Sequence, residues 1–258
     1  MTRRLSTQGF DYSGRSIALF CSGPATLFAY ELFAYKRTVA MKIYPQRSFP
    51  SILFSFSLAL LFLAGCATFE TASEIQAGRR ALLIDDAAGA LPHFQRAAEL
   101  DPNYLTSFTP FKEGVWTYVG RTQYASGKLA EARPNLERAV SRYSDDYLGK
   151  IYLGLTLIRQ QESAKGLKEF EGGIKGLHDW LEYVANYSRY GQYWDPRREI
   201  RSEIQQNLAM IGGREMNLEK VIASGEWLGK KMEEEIDLAA RDENNAYKEG
   251  DHKGHGHR

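Results

Sequence analysis

A unit of 34 residues recurs along this chain of 258 residues. Segment 71–104 carries Gly78, Ala90, Phe94, Ala97 and Pro102. Segment 113–146 carries Trp116, Val119, Gly120, Ala132, Leu136 and Ala139, and segment 147–180 follows at once with Leu153, Gly154, Leu157, Gly166, Phe170 and Gly173. Counted within each unit, the small and large apolar residues fall at the same offsets, which predicts two helices per unit. Where they cross, the site on the first helix (Gly78, Gly120, Gly154) and the facing site on the second (Ala90, Ala132, Gly166) must be small enough for two backbones to approach. Phe94, Leu136 and Phe170 then fill the space between one unit and the next. Asp101-Pro102 ends the second helix of the first unit, because proline cannot continue a helix and biases its predecessor toward an extended form.

Trp116, Val119 and Gly120 open the second unit with the tryptophan-x-x-apolar-glycine pattern, and together with the three aligned segments they make residues 71–180 resemble the tetratricopeptide repeat family. The resemblance implies an all-α fold, a right-handed solenoid of about three helix pairs whose first helices line a concave groove. It also implies which positions face that groove: Ala72, Ile75, Arg79 and Leu82 in the first unit, Gly114, Thr117, Arg121 and Tyr124 in the second, and Leu148, Ile151, Leu155 and Ile158 in the third. Arg79, Leu82, Thr117, Arg121 and Tyr124 are the candidate partner contacts. The third set is apolar throughout, so it needs a cover, supplied either by a partner or by the C-terminal part of the chain folding back. Segment 105–112, with Pro110 and two phenylalanines, departs from the repeat as a loop or a lengthened helix.

Residues 181–247 read as helices that cap the stack. Asp195-Pro196 marks a helix start, with Asp195 as N-cap and Pro196 at the first position; Ile200, Ile204, Leu208 and Ile211 follow on one face, and Gly212-Gly213 closes it. A short stretch from Glu215 to Ala223 precedes an amphipathic helix with Trp227, Leu228, Met232, Ile236 and Ala239 inward and Lys230, Lys231, Glu233 and Glu234 in water. Tyr187, Tyr190, Tyr193 and Trp194 crowd the connector around Gly191, a density found both in interface hot spots and in apolar plugs. Residues 248–258 read as a disordered tail in which His252, His255 and His257 are weak metal candidates; no other metal site is expected.

Upstream of the repeats, Met41, Lys42 and Arg47 form a short basic segment before an apolar run from Ile52 to Leu63, and Leu63-Ala64-Gly65-Cys66 ends it. The run is too short for the ~20 residues of a membrane-spanning helix and the right size for a signal-peptide core. These residues resemble the lipobox of bacterial lipoproteins. The resemblance implies a signal peptide over 41–65, a lipid on the Cys66 thiol and a lipidated linker over 66–70. Ala67, in place of aspartate, implies outer-membrane sorting on the periplasmic face. Residues 1–40 fit as a start placed too early, with Met41 as the true start.

Residues 67–258 hold 26 Lys and Arg against 30 Asp and Glu, an evenly mixed and mildly acidic balance without a basic stripe for nucleic acid. Cys21 and Cys66 are the only cysteines, so the mature domain has no disulfide. The chain carries no Gly-x-Ser-x-Gly elbow, phosphate-binding glycine loop or His-Glu-x-x-His pair, and Glu233-Glu234-Glu235 reads as a solvated face. The expectation is therefore a non-enzyme without a cofactor beyond the lipid on Cys66, an envelope adaptor or scaffold that binds another envelope protein. The alternative is a lipoprotein that binds a metal or a small ligand.

Overall fold

The computed structural model describes residues 68–108, 111–213 and 216–254, and the described chain is mostly helical. Helix α1 covers residues 68–83, followed by α2 (Ala87–Leu100), the strands β1 (Leu105–Phe108) and β2 (Phe111–Gly114), α3 (Val115–Ala125) and α4 (Leu129–Arg142). Then come α5 (Tyr147–Arg159), α6 (Ser163–Tyr187), a 3-10 turn (Gly191–Tyr193), α7 (Glu199–Ile211) and α8 (Leu218–Gly254). Cys66 and its flanks lie outside the described residues, as do His255 and His257.

Helices α1/α2, α3/α4 and α5/α6 form three successive hairpins with one turn geometry. Asp85, Gly127 and Gln161 each stand at the fifteenth place of their unit and each has positive φ, at 60°, 73° and 68°. In every case the next amide reaches back to the first helix: Asp86 N to Ala81 O, Lys128 N to Gln123 O and Glu162 N to Leu157 O, all at 2.9 Å. This is the six-to-one bond of a Schellman C-cap, which satisfies carbonyls that the helix end would otherwise leave open. Gly127 takes the left-handed conformation without a Cβ penalty, whereas Asp85 and Gln161 hold it against one.

The crossings are as close as the small residues require. A Cβ built on Gly120 would stand 2.5 Å from Leu136 Cγ, and one on Gly154 would stand 2.6 Å from the backbone nitrogen of Phe170 and 2.7 Å from Gly166 O. Backbone cannot swing away as a side chain can. Gly154→Ala is therefore expected to destabilise by about 1–3 kcal/mol despite the better helix propensity of alanine. Gly172→Ala, on the same hairpin where a new Cβ meets nothing within 4 Å, should stabilise by about 0.5–1 kcal/mol. Urea denaturation of the two variants checks the contrast.

Four departures from the sequence reading have local causes. Segment 105–112 is neither loop nor lengthened helix: Leu105 pairs with Gly114 and Phe108 with Phe111 in an antiparallel ribbon. Two-residue alternation along β2 turns Phe111 and Glu113 inward and Lys112 outward. Helix α6 does not stop with the third unit but runs 25 residues to Tyr187, since His178 stands where a proline would have ended it. Helix α7 begins at Glu199 and not at Pro196; Asp195 still caps it, accepting from Ile200 N and Arg201 N at 3.1 Å across a bend that gives Asp195 and Arg198 positive φ. Finally, the stretches on either side of Ser224-Gly225 are one helix of 37 residues, and it continues through His252 to Gly254, where a disordered tail was expected.

Trp194 is a plug. It is buried, meets Trp180 edge-on at 5.0 Å, and Trp180 meets Phe111 of the ribbon at 5.0 Å. Tyr187, by contrast, is 78% exposed.

Candidate functional site

The sides of α1, α3 and α5 that were expected to line a groove are covered by α8. One face of α8 does this, through residues spaced four apart that lie above one another on a helix: Gly225, Gly229, Glu233 and Asp237. A Cβ on Gly225 would stand 2.8 Å from Leu155 and Phe170, and one on Gly229 would overlap the Tyr152 hydroxyl at 2.0 Å, so the two glycines let α8 lie directly on α5. One turn further on, Glu233 receives Arg121 Nη1 of α3 at 2.7 Å and Arg79 Nε of α1 at 2.8 Å. Asp237 receives Arg79 Nη2 at 2.9 Å. Thus α8 crosses α5, α3 and α1 in turn.

Glu113, carried in by the ribbon, completes the charged centre by accepting from Arg121 Nη1 at 2.9 Å. Arg79, Arg121, Glu113 and Glu233 are all at most 4% exposed. Two guanidiniums and two carboxyls hold together in burial because every guanidinium faces a carboxyl, whereas an isolated charge would carry a large desolvation cost. Burial opposes the charge on both arginines, and the facing carboxylates outweigh it, holding their pKa values above the usual guanidinium range. Glu113 goes the other way. Burial, with Glu233 and Asp146 close by, pushes its carboxyl up from the usual 4.5 to about 8 against the pull of Arg121, and its Oε2 has no hydrogen-bond partner among the described residues.

This has a pH consequence. The folded chain binds the Glu113 proton more tightly than the unfolded chain does, so its contribution to stability is complete below about pH 4.5 and declines as pH rises to about 8. Asp146 and Glu235, also raised by burial, act with the same sign. Glu113→Gln, which keeps the shape and discards the titration, is expected to flatten the decline of melting temperature between pH 5 and 8; an unchanged slope would exclude Glu113 as its source.

Four of the five candidate contacts are therefore hydrogen-bonded within the chain. Arg79 and Arg121 grip Glu233. Thr117 is buried and donates to Asp146 Oδ2 at 2.6 Å, the carboxylate that also caps α5 through Gly149 N. Tyr124 donates from its hydroxyl to Glu226 of α8 at 2.7 Å, and Leu82 lines a cavity beside it. Glu233 and Glu235 were expected in water and are buried instead: the arginines claim Glu233, and the amide of Asp195 donates to Glu235 at 2.5 Å. Sequence reasoning missed Glu113, Glu226 and Glu233 as partners of this face. The four-residue spacing of Gly225, Gly229, Glu233 and Asp237 was the available signal.

Beside this contact, a cavity of about 520 Å³ opens between α1, α3, α5 and α8. Arg121, Tyr124, Tyr152 and Glu233 are its buried lining; Arg159, Glu226, Trp227 and Lys230 surround its mouth with Leu82, Leu83 and Asp85. Two ion pairs cross the mouth, Arg159–Glu226 at 2.5 Å and Lys230–Asp85 at 2.7 Å. Among the described residues no cluster of three or more His, Cys, Asp or Glu is placed to hold a metal, and no helix is long and apolar enough to cross a membrane. The chain matches no protein-family model, no curated protein and no solved structure.

Proposed function

We propose that the chain is a lipid-anchored envelope protein, held at the periplasmic face of the outer membrane through Cys66, whose residues 71–180 form a right-handed stack of three tetratricopeptide-like helix pairs capped by residues 181–247. Its work is binding: it serves as an adaptor or assembly scaffold for another envelope protein, with no catalytic step, no nucleic acid and no cofactor beyond the lipid. The observation that carries this reading is the threefold identity of the hairpins, with the same left-handed turn residue and the same back-reaching amide at the same place in each unit. Stacks of such pairs act by presenting one long face to a helix or an extended segment. Here that face already holds a helix, α8, which leaves the outer side for a partner, where Tyr183 and Tyr187 lie 5.4 Å apart and well exposed. Only Ala67 separates Cys66 from the first described helical residue, so a lipid on Cys66 would tether α1 with almost no slack.

The cavity favours a second reading, an envelope lipoprotein that binds a small ligand. Two measurements separate the parts of the proposal. Metabolic labelling with an alkyne fatty acid should mark the wild-type chain and not Cys66→Ser; an unlabelled wild type ends the anchor reading. A photo-crosslinker in place of Tyr183 should capture one recurring envelope protein in cells, and Tyr187→Ser should reduce the adduct. Crosslinking no stronger than from exposed Lys168 ends the adaptor reading.

A further inference from the structure

The charges around the cavity differ in how firmly they are held. At the floor, Arg121 binds two carboxylates and the Gly229 carbonyl, all buried. At the mouth, both ion pairs are between groups at least one-third exposed, and such pairs contribute little to stability and rearrange at little cost. One of them is only half used. Glu226 accepts both Tyr124 and Arg159 on Oε1, so among the described residues its Oε2 has no hydrogen-bond partner; Arg159 donates from Nη2 alone, which leaves Nη1 open. An acceptor that is negative and a donor that is positive thus stand side by side at the edge of a pocket whose adjoining wall is Trp227, Leu82 and Leu83.

We infer that this cavity is a binding site for a free α-amino acid with a large apolar side chain: its ammonium sits on Glu226 Oε2, its carboxylate on Arg159, and its side chain against Trp227. The three cations and three anions of the lining cancel, so a ligand of a single sign would meet as much repulsion as attraction, while a zwitterion meets both complements at once. A neutral sugar fits less well. Two of the three aromatic faces in the lining are taken by cations, Tyr124 by Arg159 at 4.7 Å and Tyr152 by Arg121 at 5.2 Å, and a sugar would leave the paired charges of Glu226 and Arg159 without complements. The volume, about 520 Å³, is in the range of small-molecule pockets. The site requires neither the lipid nor a protein partner.

Isothermal calorimetry on the full chain in detergent, with L-phenylalanine as the probe, tests it. Saturable binding is expected, and N-acetyl-L-phenylalanine and L-phenylalaninamide, each lacking one charge, should each bind at least about tenfold more weakly, the effect of losing one charge-assisted hydrogen bond. Glu226→Gln retains an acceptor for Tyr124 and should weaken L-phenylalanine to a similar extent. Trp227→Ala should weaken it as well, with an unchanged circular dichroism spectrum for both variants. The proposal is overturned by any of three results: no saturation with millimolar L-phenylalanine, equal binding of the blocked derivatives, or glucose binding in its place. Should Glu226→Gln fail to fold, the two blocked derivatives against the wild-type chain decide alone.

Discussion

Arg121→Ala is expected to cost about 3–5 kcal/mol, because it removes the one cation that Glu113 has and one of the two that Glu233 has, and both carboxyls are buried. Glu233 keeps Arg79 at 2.8 Å; Glu113 loses the one group that pulls its pKa down and is held to its proton at still higher pH. The loss should therefore be greater at pH 9 than at pH 6, since an acid whose folded-state pKa is raised loses its contribution as pH rises. Chemical denaturation at the two pH values measures this. Removing the charges together should be milder than removing one: Arg121→Met with Glu113→Gln and Glu233→Gln removes both acids along with the cation they shared, while Arg79 retains Asp237. A triple variant no more stable than Arg121→Ala would mean that the charges themselves, and not their pairing, hold α8 in place.

Trp194→Ala is the second large effect, again about 3–5 kcal/mol, which for a chain of this size lowers the melting temperature by roughly 10 °C. The indole is 1% exposed and closes a row of rings, Phe111, Trp180 and Trp194, that ties the ribbon to α6 and to the connector before α7. Its Nε1 donates to Glu243 near the end of α8 at 3.1 Å, so the substitution opens a cavity and also frees a carboxylate. Trp194→Phe, which fills most of the space, should recover more than half of the loss. A change in melting temperature of only a degree or two for Trp194→Ala would show that the surroundings collapse into the gap, or that the ring row carries no weight.

The three hairpins were legible because everything that makes them is close in sequence. Gly78 and Ala90, Gly120 and Ala132, and Gly154 and Gly166 are each twelve residues apart, and a turn that brings such neighbours together needs no help from the remainder of the chain. The ribbon was not legible. Leu105 to Phe108 and Phe111 to Gly114 are four-residue stretches of mixed polarity, too short for periodicity to assign to helix or strand, and their pairing is a property of two segments together. Ser224-Gly225 looked like a break for a related reason. Glycine is poor in an isolated helix, but here close contact with Leu155 and Phe170 outweighs that preference.

The candidate site divides the same way. Arg79, Thr117, Arg121 and Tyr124 were assigned to one face because the resemblance to the tetratricopeptide repeat implies it. What they touch was out of reach, since Arg121 and Glu233 lie 112 residues apart and Arg79 and Glu233 lie 154 apart. A glutamate in a Glu-Glu-Glu run is ordinarily a surface residue, and only a guanidinium waiting across the groove makes its burial favourable.

Local spacing along the chain was thus enough to determine that residues 71–180, the ribbon apart, form paired helices and where each pair crosses, because helix periodicity and tight turns act over a dozen residues. The tertiary structure alone decided that α8 fills the groove face, that four ionisable groups lie inside it and that a cavity remains beside them. Those outcomes depend on which distant partner arrives, and a charge is kept in water or buried according to that partner and not according to its own residue type.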